Sequence, residues 1–175
     1  MKSTSPFDDV SSKIKEIITL KIINFISYKP RSQKEISDRL DKYLGRYKKI
    51  NSQEKTTLRD DVLKHLQEVN LVDDDYFAQT FVAQKLRSPK PESKIKIRQF
   101  LMRKGVPTTI IDKAMKAYSD ETEEEKMIKD ARKKLSTLRN TPPLRKRKKL
   151  YEYLARKGYP FSRIRAIVDR ELEVK

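Results

Sequence analysis

His65 is the only histidine in the chain, and there are no cysteines. A His-paired nucleophile, a disulfide, a thiolate metal site and a multi-histidine zinc site therefore have no material to be built from. With three glycines in the whole sequence, no Gly-rich phosphate loop exists, so nucleotide hydrolysis by the chain itself is not expected. The run Asp73-Asp74-Asp75 has two readings. It could ligate a metal, or it could open a helix, where unpaired N–H groups and the helix dipole favour acids. The helical pattern Phe77, Ala78, Phe81, Val82 that follows it supports the second. The chain is expected to be neither an enzyme nor a metal or cofactor protein.

The chemistry the sequence does carry is cationic. Its 42 Lys and Arg outnumber 25 Asp and Glu, for a net charge of +17. Such an excess repels itself in a compact chain and suits a polyanionic partner, or it reflects composition alone. The excess is concentrated in residues 121–175, which hold 17 basic and 9 acidic residues. Its densest run is Arg145-Lys146-Arg147-Lys148-Lys149. If a helix there buries Leu150, Tyr153 and Leu154, then Arg145, Lys148, Lys149 and Arg156 fall on the opposite face, where flexible cations could meet phosphates.

Arg103-Lys104-Gly105 and Arg156-Lys157-Gly158 place cations at helix C-termini, where they could offset the dipole or bind. Arg132-Lys133-Lys134 could extend the surface, although consecutive helical residues cannot all point one way. The candidate binding set is Arg98, Arg103, Lys104, Arg132, Lys133, Arg145, Lys146, Lys148, Lys149, Arg156, Lys157 and Arg163. Tyr151, Tyr159 and Phe161 lie beside these cations and could stack on bases or belong to the core.

The elements that must position these residues read as helices throughout. Only 36% of residues are hydrophobic and 38% are charged, which favours thin packed helices with a large solvated surface over one thick core. Val10, Ile14, Ile17, Ile18, Ile22 and Phe25 keep helical spacing, and Pro30 ends the element. Ser32 and Glu35 form a capping box for a helix through Ile36, Leu40 and Leu44, which Gly45 can stop. Residues 46–54 read as a polar loop, and Leu58, Val62, Leu66 and Val69 as a third helix. Further helices follow: one to about Arg87, one ending at Gly105, one after Pro107, one after the acidic run 121–125, one ending at Gly158, and one after Pro160.

An internal repeat is legible letter by letter. Residues 97–107, IRQFLMRKGVP, align without gaps on residues 150–160, LYEYLARKGYP, and the register continues with Ile111 on Ile164 and Met115 on Val168. Helix, Gly stop, Pro at the next first turn, helix is its physical content. A period of about 50 residues means a repeated helical unit covered by its neighbours.

Five pieces in order resemble the RecX family of bacterial recombination regulators. They are Lys29-Pro30-Arg31-Ser32 with Glu35-Ile36 and Leu40; residues 70–78, NLVDDDYFA; residues 97–105; residues 131–135, ARKKL; and residues 154–159, LARKGY. The resemblance implies an all-α fold of three tandem three-helix repeats in an elongated, curved array. It implies binding to the filament that RecA forms on single-stranded DNA, and modulation, expected to be inhibition, of its strand exchange and ATP hydrolysis. No active site or cofactor comes with it. The expected division is a flexible tail over 1–9, then units over 10–72, 73–120 and 121–175, the first degenerate and the last most basic.

No run of about 18 apolar residues exists, and the first residues lack a signal-peptide pattern, so a cytoplasmic monomer without a membrane partner is expected. Two alternatives stay open. One is a free-standing DNA-binding helical repeat or helix-turn-helix transcription regulator, which would meet single-stranded or duplex DNA. The other is a helical scaffold that binds proteins only.

Overall fold

The structure, a computed structural model, describes residues 6–173, with side chains from Ser11. Among the described residues there are nine helices and no strand: α1 (Pro6–Ser27), α2 (Gln33–Leu44), α3 (Ser52–Glu68), α4 (Asp74–Arg87), α5 (Lys94–Arg103), α6 (Thr108–Met115), α7 (Asp120–Ser136), α8 (Pro143–Arg156) and α9 (Phe161–Glu173). The fold is an all-α repeat. One compact unit runs to Phe77 and takes in Lys104–Val106; the other comprises Ala78–Arg103 and residues from Pro107 onward.

In the first unit, one apolar stripe from each of three helices makes the core. Ile14, Ile18 and Ile22 of α1 meet Ile36, Leu40 and Leu44 of α2 and Leu58, Val62 and Leu66 of α3. Each such side chain contributes roughly 1.5–3 kcal/mol on burial. In the second unit, Met127 and Ala131 of α7, Leu150 and Leu154 of α8, and Ile164, Ile167 and Val168 of α9 form a matching cluster closed by Tyr159.

Some boundaries differ from the sequence reading. Helix α1 starts at Pro6, inside the expected tail, because a proline in the first helical turn needs no N–H partner; residues 1–5 lie outside the described residues. Helix α3 starts at Ser52, inside the loop expected over 46–54. Asn51 accepts from the Glu54 N–H at 2.9 Å, and the Glu54 carboxylate accepts from the Asn51 N–H at 3.0 Å. This is the same reciprocal cap that Ser32 and Glu35 build on α2.

The corner glycines divide into two kinds. Gly105 and Gly158 are left-handed, with φ of 76° and 82°. Gly45, expected to stop α2 in the same way, is right-handed with φ −58°, so no glycine freedom is used there. The exit from α3 is left-handed instead at Asn70, φ 56°, and the Leu71 N–H returns to the Leu66 carbonyl at 2.9 Å.

Each left-handed glycine packs on the start of an earlier helix. A Cβ on Gly105 would lie 2.8 Å from the Lys34 Cβ, and one on Gly158 would lie 2.8 Å from the Ser93 Oγ. The same two helix starts receive other partners. At α2, the Gln33 N–H donates to Asp74 at 2.9 Å, and Lys104 pairs with Glu35 at 2.6 Å. At α5, the Lys94 N–H donates to Glu123 at 2.7 Å, and the Ser93 hydroxyl donates to the Lys157 carbonyl at 2.9 Å. An acid and a Lys-Gly corner from later in the chain thus complete both helix starts, whose free N–H groups would otherwise be orphaned.

Candidate nucleic-acid interface

Helix α8 has a plain amphipathic logic. Pro143 sits in its first turn, where a missing N–H costs nothing. Leu150 and Leu154 are fully buried. Counting 100° per residue from that apolar centre, Arg145, Lys148, Lys149 and Arg156 come out on the far side, and all four are exposed. Among the described residues none of the four forms an ion pair. The first turn of α8 holds no acid and begins the basic run, although cations at a helix N-terminus oppose the dipole. Arg145 is thus placed against the helix's own stability, whereas Arg156 in the last turn favours it.

The other candidates separate into open and neutralised residues. Arg103 and Lys133 are exposed and Lys146 is half-buried, and none forms an ion pair among the described residues. Five are engaged internally. Arg98 pairs with Asp112 at 2.6 Å and Lys104 with Glu35 at 2.6 Å. Arg132 holds Glu171 through two nitrogens, at 2.8 and 3.1 Å. Arg163 reaches Asp120 at 2.8 Å and the buried Glu123 at 3.4 Å. Lys157 reaches Asp130 at 3.4 Å. The nearby residues Arg145 and Arg147 likewise differ, since Arg147 pairs with Asp169 of α9.

Lys157 belongs to a polar cluster inside the second unit. Asp130 is 2% exposed and accepts from the Tyr159 hydroxyl at 2.9 Å and the Tyr153 hydroxyl at 3.3 Å. Burial, then the adjacent Asp130 carboxylate, pushes the Tyr159 hydroxyl well above the usual phenol range. Tyr159 is therefore a satisfied core residue, and no base can stack on it. Phe161 stays at the surface, its ring 6.2 Å from that of Tyr151 and nearly parallel to it, while Tyr151 is half-buried against the core. Leu144 joins them as an exposed apolar side chain, 84% accessible. Sequence reasoning missed Leu144, Arg139 and Arg165, all exposed; the charge excess of 121–175 was the only signal for the two arginines. Among the described residues no group of carboxylates and imidazoles is placed to hold a metal, and no helix is long and apolar enough to cross a membrane.

These features define a class, an all-α repeat protein with an exposed cationic helix. Within that class, family models for RecX match two stretches: the second three-helix domain over residues 73–115 and the third over 121–168. A regulatory protein RecX from Prosthecochloris aestuarii is 30% identical over 150 residues, covering 86% of this chain and 90% of the relative. One from Chlorobium phaeobacteroides is 36% identical over 111 residues, 63% of this chain and 70% of the relative. One from Oceanobacillus iheyensis is 30% identical over 161 residues, 87% of this chain but only 56% of the relative. The crystal structure of RecX from Lactobacillus salivarius shares the fold, with TM-score 0.73 at 21% identity over 94% of this chain and 99% of the other. Another crystal structure of regulatory protein RecX gives 0.78 at 25% identity, covering 97% of this chain and 82% of the other. The chain belongs to the RecX family.

Proposed function

We propose that this chain binds the filament of a RecA-type recombinase on single-stranded DNA and restrains its strand exchange and ATP hydrolysis, with no catalytic step of its own. Membership in a family of regulatory proteins supports the regulator role. The observation that carries the DNA side is the face of α8, where Arg145, Lys148, Lys149 and Arg156 are exposed and lack carboxylate partners among the described residues. Cations left open in this way release counterions when they meet phosphates. The test is the variant R145E/K148E/K149E/R156E in co-sedimentation with single-stranded DNA, duplex DNA and recombinase filament over a salt series. Filament affinity is expected to fall severely and its salt dependence to flatten. Full binding by this variant would exclude the α8 face.

A saturating amount of the unaltered chain is also expected to change the filament's hydrolysis rate while hydrolysing nothing alone. An unchanged rate would count against the regulator reading. A free-standing duplex-binding role is the second reading. The pair α8–α9 favours it, because the two helices meet at a left-handed glycine and leave Phe161, Ser162 and Arg165 exposed at the start of α9. Retention on duplex DNA in preference to single strand and filament would select it.

A further inference from the structure

We propose that the first unit carries a second binding site for the phosphate backbone of single-stranded DNA, built by Lys21, Arg39 and Arg46 around the ring of Tyr43. The three charges lie 5.8, 5.7 and 5.9 Å from that ring's centre. None of them has a carboxylate partner among the described residues. Arg39 also lies 4.3 Å from the centre of the Phe25 ring, which Arg31 approaches to 4.1 Å. The result is a ladder of alternating cations and rings along the seam between α1 and α2.

Part of this ladder explains itself as packing. Arg31 is neutralised by Glu35 at 3.4 Å, and Arg31 and Arg39 together cover Phe25, as stacked guanidinium groups do. Lys21 and Arg46 are not explained that way. Both are exposed, and they add two positive charges beside a third with no acid to offset them. The elongated connection after α2 continues the pattern, since Lys48 and Lys49 are exposed and also lack ion pairs among the described residues. Two exposed-face cations of the same unit do have partners and serve for comparison: Lys15 pairs with Asp61 at 3.1 Å and Lys64 with Glu68 at 4.0 Å. An anion relieves the repulsion at Tyr43. Cations interleaved with an aromatic ring match a single strand, whose backbone follows charge while its bases tolerate any flat partner.

This inference rests on the DNA-binding reading and is tested apart from it. The full chain is titrated into labelled oligodeoxythymidine over a salt series. Three variants are compared: K21Q/R46Q, the fourfold Glu variant of α8, and K15Q/K64Q, which removes the same charge as the first from cations that already have partners. Each phosphate that is no longer neutralised should lower the slope of log K against log salt by about 0.7, which near 0.1 M salt is roughly fivefold in affinity per phosphate. K21Q/R46Q should therefore bind roughly 25-fold more weakly, and K15Q/K64Q should change far less. Ultraviolet cross-linking of the unaltered chain should place oligonucleotide on the peptide that carries Tyr43. An unchanged slope in K21Q/R46Q while the α8 variant loses binding would overturn this site alone. Equal loss in K21Q/R46Q and K15Q/K64Q, with no cross-link at Tyr43, would also overturn it. No binding by the unaltered chain would overturn this site and the DNA-binding reading together.

Discussion

At the scale of single residues, the Arg-Lys-Gly corners divide into parts with different tasks. Lys104 and Lys157 turn inward to Glu35 and Asp130, while Arg103 and Arg156 stay exposed. The glycines are required by left-handed backbone and by a neighbour 2.8 Å from a would-be Cβ. Gly158→Ala and Gly105→Ala should each cost at least about 1–2 kcal/mol. Gly45→Ala, at a right-handed position, should cost clearly less, and urea unfolding of the three variants checks the order.

Glu35 gives a pH signature. Its burial alone would raise its pKa, but hydrogen bonds from Lys104 and the Ser32 N–H, with the charges of Lys104 and Arg31, carry it below its usual 4.5. A depressed carboxylate contributes stability above its unfolded pKa and loses it as pH falls through the folded value. The melting difference between the unaltered chain and Glu35→Gln should therefore be present at neutral pH and fade below about pH 4. A gap that stays constant into acid would contradict this. The repeated corner was legible in the sequence letter by letter. Which of its two cations packs and which stays open was not, because Lys104 finds its partner 69 residues away.

At the scale of elements, helical periodicity located the apolar stripes well. The aligned pairs Ile97 and Leu150, Leu101 and Leu154, Val106 and Tyr159, and Ile111 and Ile164 are all buried. The start of α3 was missed because a polar stretch opening with Asn51 reads as loop unless its Glu54 partner is noticed. Tyr159 could not be assigned to the core from neighbouring charges alone; its hydroxyl is satisfied by Asp130 of α7. In α8, stability and binding should pull in opposite directions. Arg145→Glu puts an acid near a helix N-terminus and should stabilise the fold by about 0.3–1 kcal/mol, while weakening DNA binding. Thermal unfolding beside an oligonucleotide titration reads both signs. A variant that loses stability and binding together would show that Arg145 serves the fold.

At the scale of the whole molecule, the net charge of +17 suits a polyanionic partner or reflects composition alone, and it could not say which cations remain open. Five of the twelve candidate cations are engaged by acids that the fold brings to them, and that selection is a tertiary fact. The two compact units should also answer separately to damage. Leu154→Ala removes a fully buried side chain at a cost of about 2–5 kcal/mol. Amide exchange in α7–α9 should accelerate more than in α1–α3, as expected where stability is a sum of local terms. Uniform acceleration would indicate a single cooperative block. The two helix starts at α2 and α5 carry a further consequence for synthesis. Each is completed by residues made later: Asp74 and Lys104-Gly105 for the first, Glu123 and Lys157-Gly158 for the second. A chain emerging from the ribosome therefore cannot finish its first such junction until about Gly105 has cleared the exit tunnel, nor its second until about Gly158 has. Assembly is clasped from behind, in the order of translation.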